Sequence, residues 1–284
     1  MSLVSVVIPT YKRNDFLIKA IDSVLSQTYK EIEIVIVDDN GDNNSFREKN
    51  LSLSEKYKKY GNMRFIFPKS NNGGAEARNI GIREATGEYI AFLDDDDLFL
   101  PTKIEDMMQY VKNNDDKMTT MYYSWVKSTR GIEYKNDYNG MALFELFRDD
   151  CLAATTQWLI SREALMSVDG FDNTPSKQDS ILTCKLLEKG YKVKCVPKIL
   201  SIYNEHDEGR ISNRGKTIEG ERILFEQYLN VKENFTKKQQ KILTFNFQLR
   251  FFKYNIRRKR IDLALGNFKN MIPVSYTHLR AHET

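Results

Sequence analysis

Two spacings of apolar residues alternate along the first hundred positions. "VSVVI" (residues 4–8) is an unbroken apolar run of the kind a buried strand carries, and Phe16, Leu17, Ala20, Ile21, Val24 and Leu25 then recur at helical spacing on one stripe. Asn14 stands where a helix N-cap is expected. "EIEIVIV" (31–37) alternates at its start and is wholly apolar at its end, which predicts a second strand. A helix over about 45–60, a third strand at "RFIF", a helix over about 74–85 and a fourth strand at "YIAFL" continue the series. Strands separated by helices in this rhythm predict an α/β fold with a mostly parallel central sheet.

From residue 119 the pattern changes to strands and turns. "TTMYYSWV" and "ATTQWLIS" read as strands, "VDGFDN" as a turn, "SILTCKLLEKG" as a helix from about Asp179 closed by Gly190, and "YKVKCVP" as a further strand. Beyond about Gly215 the periodicity is helical as far as about Met271. The expected organisation is an α/β domain over 1–214, a helical C-terminal extension over 215–273 and a tail over 274–284. That tail, "VSYTHLRAHET", fits neither helix nor strand and reads as an appended or disordered segment. Its His278 and His282 have ligand-like spacing but no acidic or cysteine companion.

The sequence has 284 residues, enough for a sizeable core. Three cysteines without a CxxC pair argue against a disulfide framework and for a cytoplasmic setting. No charged leader opens the sequence, and no apolar run approaches the roughly 20 residues that span a bilayer. A net charge of +4 is too small to imply a nucleic-acid partner. The positive excess gathers late, in "KVKENFTKKQQKI" and "FFKYNIRRKRIDLAL". Aromatic and basic residues interleave there, which leaves two readings: peripheral contact at the inner face of an anionic membrane, or a helical cap with Phe247, Phe251, Phe252 and Tyr254 packed inward and the basic group 257–260 solvated.

Candidate chemistry falls at strand C-termini: "PTYKR", "DDNGDNN", "PKSNNGGAEARN" and "DDDDLFLP" follow the four strands in turn. In open α/β sheets that edge binds ligands. Asp94 to Asp97 are four adjacent carboxylates, which require either a solvated turn or a cation. An EF-hand pattern, a phosphate-binding loop of Walker type and a G-x-G-x-x-G turn are all absent, so a dinucleotide oxidoreductase is disfavoured. A short acidic turn that offers one or two oxygens to Mg2+ or Mn2+, with phosphates and water completing the shell, suits a nucleotide diphosphate.

The blocks "VSVVIPTYKRNDFLIKAIDSVLSQTY", "IEIVIVDDNGD", "NNGGAEARNIGIREATGEYIAFLDDDDLFLP" and "VDGFDN" occur in order over about residues 3–212. They resemble the signature blocks of the family 2 glycosyltransferases, inverting enzymes of the GT-A fold that use nucleotide-activated sugars. The resemblance implies a nucleotide-sugar site of Pro9, Thr10, Tyr11, Asp39, Arg78, Asp94 and Asp95. Asp39 would accept the uracil N–H if the base is uracil, while Asp38 either shares that role or braces its turn. Asp94 and Asp96 would form the D-x-D element, with the metal, Mn2+ or Mg2+, on Asp96 and His206; Asp95 and Asp97 also shape the turn. Asp179 matches the aspartate of the family's E-D pair and would be the base, with Gln178 in place of the glutamate; an N-cap role is compatible. Arg210 and Ser212 are further candidates for closing over the diphosphate.

The implied partners are a nucleotide-diphosphate sugar and a saccharide or lipid-linked acceptor, with no nucleic acid. Two other readings stay open. A sugar nucleotidyltransferase lacks support in a glycine- and lysine-rich loop after the first strand, and a non-catalytic sugar-nucleotide-binding subunit would bind donor without turnover.

Overall fold

The computed structural model describes residues 1–205 and 217–280. In chain order the elements are β1 (Val4–Thr10), α1 (Asn14–Leu25), β2 (Ile32–Asp38), α2 (Ser45–Tyr57), β3 (Met63–Ile66), α3 (Gly74–Glu84), β4 (Tyr89–Phe92), β5 (Leu98–Phe99), α4 (Lys103–Lys112), β6 (Thr119–Ser128) and β7 (Glu133–Tyr134). They continue with α5 (Leu143–Asp149), β8 (Trp158–Ser161), α6 (Arg162–Ser167), α7 (Gln178–Glu188), β9 (Lys192–Tyr203), α8 (Thr217–Val231), α9 (Lys237–Arg257) and α10 (Ile261–Arg280). They divide into two compact units: Met1–Ala142, Leu152–Asn173 and Lys185–Glu208 form the first, and Leu143–Cys151, Thr174–Cys184 and Gly209–Thr284 the second.

The whole sheet belongs to the first unit. Its order is β3-β2-β1-β4-β8-β6-β9-β5, with β7 on β6. The neighbours β3, β2, β1 and β4 are parallel, as the β-helix-β rhythm predicts. The rest is mixed: β8 runs antiparallel to both β4 and β6, β6 and β9 are parallel, and β5 is antiparallel to β9. Val4, Val6, Ile8, Ile34, Ile36 and Ala91 join Leu17, Ala20, Ile21 and Val24 of α1 in one buried cluster, so the apolar stripe of α1 covers the parallel strands. Fully burying a valine, leucine or isoleucine side chain contributes roughly 1.5–3 kcal/mol.

Several local expectations are corrected. Asn14 is not the cap of α1: the N-cap is Arg13 without a side-chain bond, and the Asn14 amide instead donates to Phe46 O at 3.1 Å and to Asn50 Oδ1, tying α1 to α2. "ATTQWLIS" is a strand only from Trp158, because Thr155–Gln157 forms a 3-10 turn. Gln157 holds that turn by accepting from Ala154 N at 2.8 Å and donating to Ser124 O. The strand at "YKVKCVP" extends to Tyr203; its register against β6 shifts between Ser124 and Trp125, and Pro197, which has no N–H to give a ladder, lies in that irregularity. The helix α10 continues through Arg280, so the stretch expected to lack regular structure is helical over its first part.

In the second unit, α9 starts at a capping box in which Thr236 and Gln239 exchange side-chain to backbone bonds. Phe247 and Phe251 are buried, and Phe247 stacks with Tyr228 of α8 at 5.5 Å, whereas Arg257 to Arg260 are exposed. Phe252 and Tyr254 are half-buried, so the aromatic residues of this helix follow the inward-packed reading. Among the described residues no helix is long and apolar enough to cross a membrane.

Candidate active site

Register brings the first unit's candidate residues to one edge of the sheet. Thr10 ends β1 opposite Asp38, which ends β2, and Phe92 at the end of β4 pairs with Val7, so the acidic turn begins just past the strand. Leu93 still donates to Val7 O at 3.0 Å, and Asp97 N closes the turn on Asp94 O at 3.0 Å.

Within that turn the four aspartates separate by burial. Asp95 and Asp97 are buried at 5% and 2% exposure, whereas the side chains of Asp94 and Asp96 keep 33% and 12%. Asp97 is an anchor: its carboxylate accepts from Thr156 Oγ1 at 2.7 Å and from Asn204 N at 2.9 Å. Asp95 accepts from Tyr11 N at 3.3 Å and from Arg13 at 3.2 Å, which ties the acidic turn to the loop after β1. Burial, together with the negative charge of Asp96, pushes the Asp95 carboxyl up to about 7. Burial and the charges of Asp94 and Asp96 raise Asp97 well above the carboxylate range as well.

Two arginines partly compensate this charge. Arg13 reaches Asp96 Oδ2 with the same nitrogen that contacts Asp95. Burial works against the guanidinium charge, yet Asp96 and Asp95 outweigh it and hold the pKa of Arg13 above its usual value. Arg78, in the second turn of α3, donates to Asp94 Oδ1 at 2.5 Å and to Gly74 O at 3.3 Å, with its guanidinium 5.6 Å from the Phe171 ring centre. Thr155 Oγ1 lies 3.4 Å from both Asp94 oxygens.

The turn after β2 separates the roles of its two aspartates. Asp38 is fully buried and accepts from Asn40 N, Asn40 Nδ2 and Arg47 Nε, so it braces the turn. Asp39 faces the loop after β3: Asn72 N at 2.7 Å, Gly73 N at 2.9 Å and Asn71 Nδ2 at 2.9 Å all donate to its carboxylate. Burial raises its pKa while the Asn72 and Gly73 N–H groups pull the other way. Gly73, at φ +85°, is in the left-handed region that favours glycine and leads into α3. Thr10 is buried, Pro9 is half-buried, and Tyr11 is 39% exposed with the Lys12 ammonium 4.9 Å from its ring centre.

The first unit therefore brings Pro9, Thr10, Tyr11, Asp39, Arg78 and Asp94 to Asp96 to one strand-end edge. Arg13, Thr155 and Thr156 were not singled out in the sequence. Arg13 had a legible signal, a cation just after a strand end; the two threonines had none, because the pairing of β8 with β4 brings them across about 60 residues.

A divalent cation fits the donor chemistry at this edge. Carboxylate oxygens are the ligands hard cations take, and Asp94 and Asp96 keep part of their side-chain surface exposed at this edge. Among the described residues no group of three His, Cys, Asp or Glu side chains could hold a metal, so the turn itself offers one or two ligands. His206, Arg210 and Ser212 lie outside the described residues.

In the second unit Asp179 occupies the first turn of α7. Its Oδ1 accepts from Ser180 N at 2.8 Å, the Cys151 thiol is 3.5 Å from its Oδ2, and Thr183 Oγ1 donates to its carbonyl at 2.9 Å. Gln178 turns its amide to Thr174 O at 2.8 Å. Lys177, at φ +62°, pairs with Asp150, itself at φ +73°, and lies 3.8 Å from Glu221, which also holds Arg250. Burial lowers the pKa of Lys177, against the charges of Glu221 and Asp179. Strained left-handed residues on both sides of an ion pair mark the segment before Asp179 as strongly determined by its surroundings.

Known proteins resemble this chain in sequence and in fold. The family model described as Glycosyl transferase family 2 matches residues 5–169. TarP of Staphylococcus aureus, a poly(ribitol-phosphate) beta-N-acetylglucosaminyltransferase, is 36% identical over 148 residues, 51% of this chain and 42% of its own length. An uncharacterized glycosyltransferase of Rickettsia bellii is 34% identical over 202 residues, 65% of this chain and 27% of its own. The chain spans less than half the length of the curated relatives it matches, 17% in the case of a Rickettsia felis glycosyltransferase. Among solved structures, S. aureus TarS 1-349 in complex with UDP-GlcNAc has a TM-score of 0.69 at 17% identity, over 98% of this chain and 92% of that one. The mannosyltransferase PcManGT of Pyrobaculum calidifontis, in complex with GDP-Man and Mn2+, has a TM-score of 0.63 at 16% identity, over 99% and 80%. These likenesses identify the fold as GT-A. The family match runs from β1 through β8 and takes in Asp39, Arg78 and the whole acidic turn; the chain belongs to glycosyl transferase family 2.

Proposed function

We propose that this chain is an inverting glycosyltransferase that moves a sugar from a nucleotide-diphosphate sugar, a UDP-sugar, to a hydroxyl of a saccharide or lipid-linked saccharide, in the building of a bacterial surface polysaccharide. The observation that carries it is the acidic turn, whose Asp94 and Asp96 stay partly exposed at the strand ends beside Arg78 and the Asp39 turn. The UDP-GlcNAc bound by TarS and the N-acetylglucosaminyl transfer named for TarP support a UDP-sugar as donor.

In this reading Pro9, Thr10 and Tyr11 line the base, and Asp39 accepts the uracil N–H with the acceptor capacity that its three loop bonds leave. Asp94, Asp95 and Arg78 hold the nucleotide sugar, while Asp96, with His206, is the metal ligand. A bound Mn2+ or Mg2+ supplies positive charge at the leaving diphosphate, and the PcManGT complex supports that requirement. Asp179 takes the proton of the acceptor hydroxyl. That oxygen forms the new bond to the anomeric carbon as the bond from carbon to diphosphate oxygen breaks, and the electron pair leaves with the nucleoside diphosphate. Arg78 donates to the departing group, where fixed donors contribute most.

Asp179→Asn tests the assignment, with UDP release in the presence of acceptor as the readout. Transfer is expected to fall by about 100-fold or more, the usual share of a general base, while UDP affinity stays within about twofold. Near-normal transfer by the variant would show that Asp179 is not the base.

A further inference from the structure

Arg13 has no role in the reading above, yet its guanidinium sits on the carboxylate assigned to the metal. One nitrogen contacts Asp95 Oδ1 at 3.2 Å and also Asp96 Oδ2, and the side chain keeps 23% exposure. The backbone around it is pinned. Tyr11 N donates to Asp95, Lys12 N donates to Asn40 Oδ1 at 2.8 Å, and Lys12 is in the left-handed region at φ +58°. With Leu17 N donating to Arg13 O at 3.0 Å, the backbone is held on either side of Arg13, so the displacement considered is one of its side chain.

A guanidinium and a divalent cation compete for one carboxylate oxygen, because each needs the same lone pairs. Displacing Arg13 from Asp96 leaves a planar cation with several donors at the C-terminal edge of the parallel strands, the geometry that pairs with phosphate oxygens in bidentate fashion. We infer that Arg13 is a diphosphate-binding residue that rests on Asp95 and Asp96 in the ligand-free protein, and that a divalent cation on Asp96 releases it to the donor's diphosphate. The inference rests on the proposed metal role of Asp96 and goes beyond it, because it couples the two ligands. Each ligand then tightens the other, since the same displacement serves both.

Arg13→Gln gives a signature of opposite signs. In an electron paramagnetic resonance titration of the full chain with Mn2+ alone, the variant is expected to bind the ion about fivefold more tightly than the parent, because the competitor is gone. In calorimetry with saturating Mn2+, its affinity for UDP is expected to be weaker by about fivefold or more, because a phosphate donor is lost. Arg13→Lys, which keeps a charge without the planar fork, is expected to shift both in the same directions by less. A merely structural Arg13 would weaken both affinities together. That result, or unchanged Mn2+ affinity in a folded Arg13→Gln protein, overturns the inference. Asp96→Asn separates the two levels. If it binds Mn2+ as the parent does, the metal assignment fails and this inference with it; if it loses Mn2+ while Arg13→Gln lacks the opposite shifts, only this inference fails.

Discussion

At the scale of single residues, the chain places charge where water does not compensate it, and neighbours decide the outcome. Asp95 and Asp97 meet burial with hydrogen bonds, whereas Lys103 meets it almost alone. The Lys103 side chain is fully buried, with its ammonium 4.8 Å from the Phe99 ring centre and 3.5 Å from Ser124 Oγ. Burial pulls its pKa from 10.5 down to about 7. Between those values the unfolded chain holds a proton that the folded chain has released, so stability rises with pH from about 7 toward about 10.5, and the cost of the charge is full below about 7. Lys103→Met is expected to stabilise the protein by on the order of 2 kcal/mol at pH 6 and to flatten this rise, as urea melts at several pH values would show. An unchanged pH dependence in the variant would mean that Lys103 stays charged in the fold. No pattern of residues announced this group, because a lysine after "LPT" reads as the exposed start of a helix.

At the scale of elements, the helix stripes and apolar strand runs were legible because local periodicity reports which face is buried. Close approaches between elements were not. In α3, Gly81 lies over β1 so closely that an added Cβ would collide with Val7 Cγ1. Gly81→Ala is therefore expected to destabilise by about 1–3 kcal/mol despite its better helix propensity, with the loss read as a lower melting temperature and an unchanged m-value. A stabilised variant would mean that α3 can lift from the sheet at no cost. The 3-10 turn at Thr155–Gln157 escaped notice for a similar reason: "ATTQW" has strand-forming residues, and the turn depends on Gln157 reaching Ser124 of β6. Asn14 illustrates the converse, a good cap residue drawn away from capping by two acceptors on α2.

At the scale of the whole molecule, ligand binding to the folded state is the measurable link between site and fold. A ligand at about 100 times its dissociation constant adds about 2.7 kcal/mol, which in a protein of this size raises the melting temperature by roughly 5–10 °C. UDP with Mn2+ is expected to give the largest shift among UDP, GDP and dTDP, each tested with and without the ion. A larger shift with GDP would move the donor assignment to another base. The sequence by itself determined the parallel run of strands with its covering helix and the placement of four motifs at strand ends, because both follow from local spacing and chain order. It also determined, through those ordered blocks, the family to which the chain belongs. Only the tertiary structure decided that β8, β6 and β9 complete a mixed sheet, that Asp38 braces while Asp39 clasps the loop over 71–73, and that Asp94 and Asp96 stay partly exposed, each in contact with an arginine. Those outcomes depend on partners up to about 107 residues apart, as between Asp97 and Asn204, and spacing along the chain cannot report which distant groups will share a carboxylate.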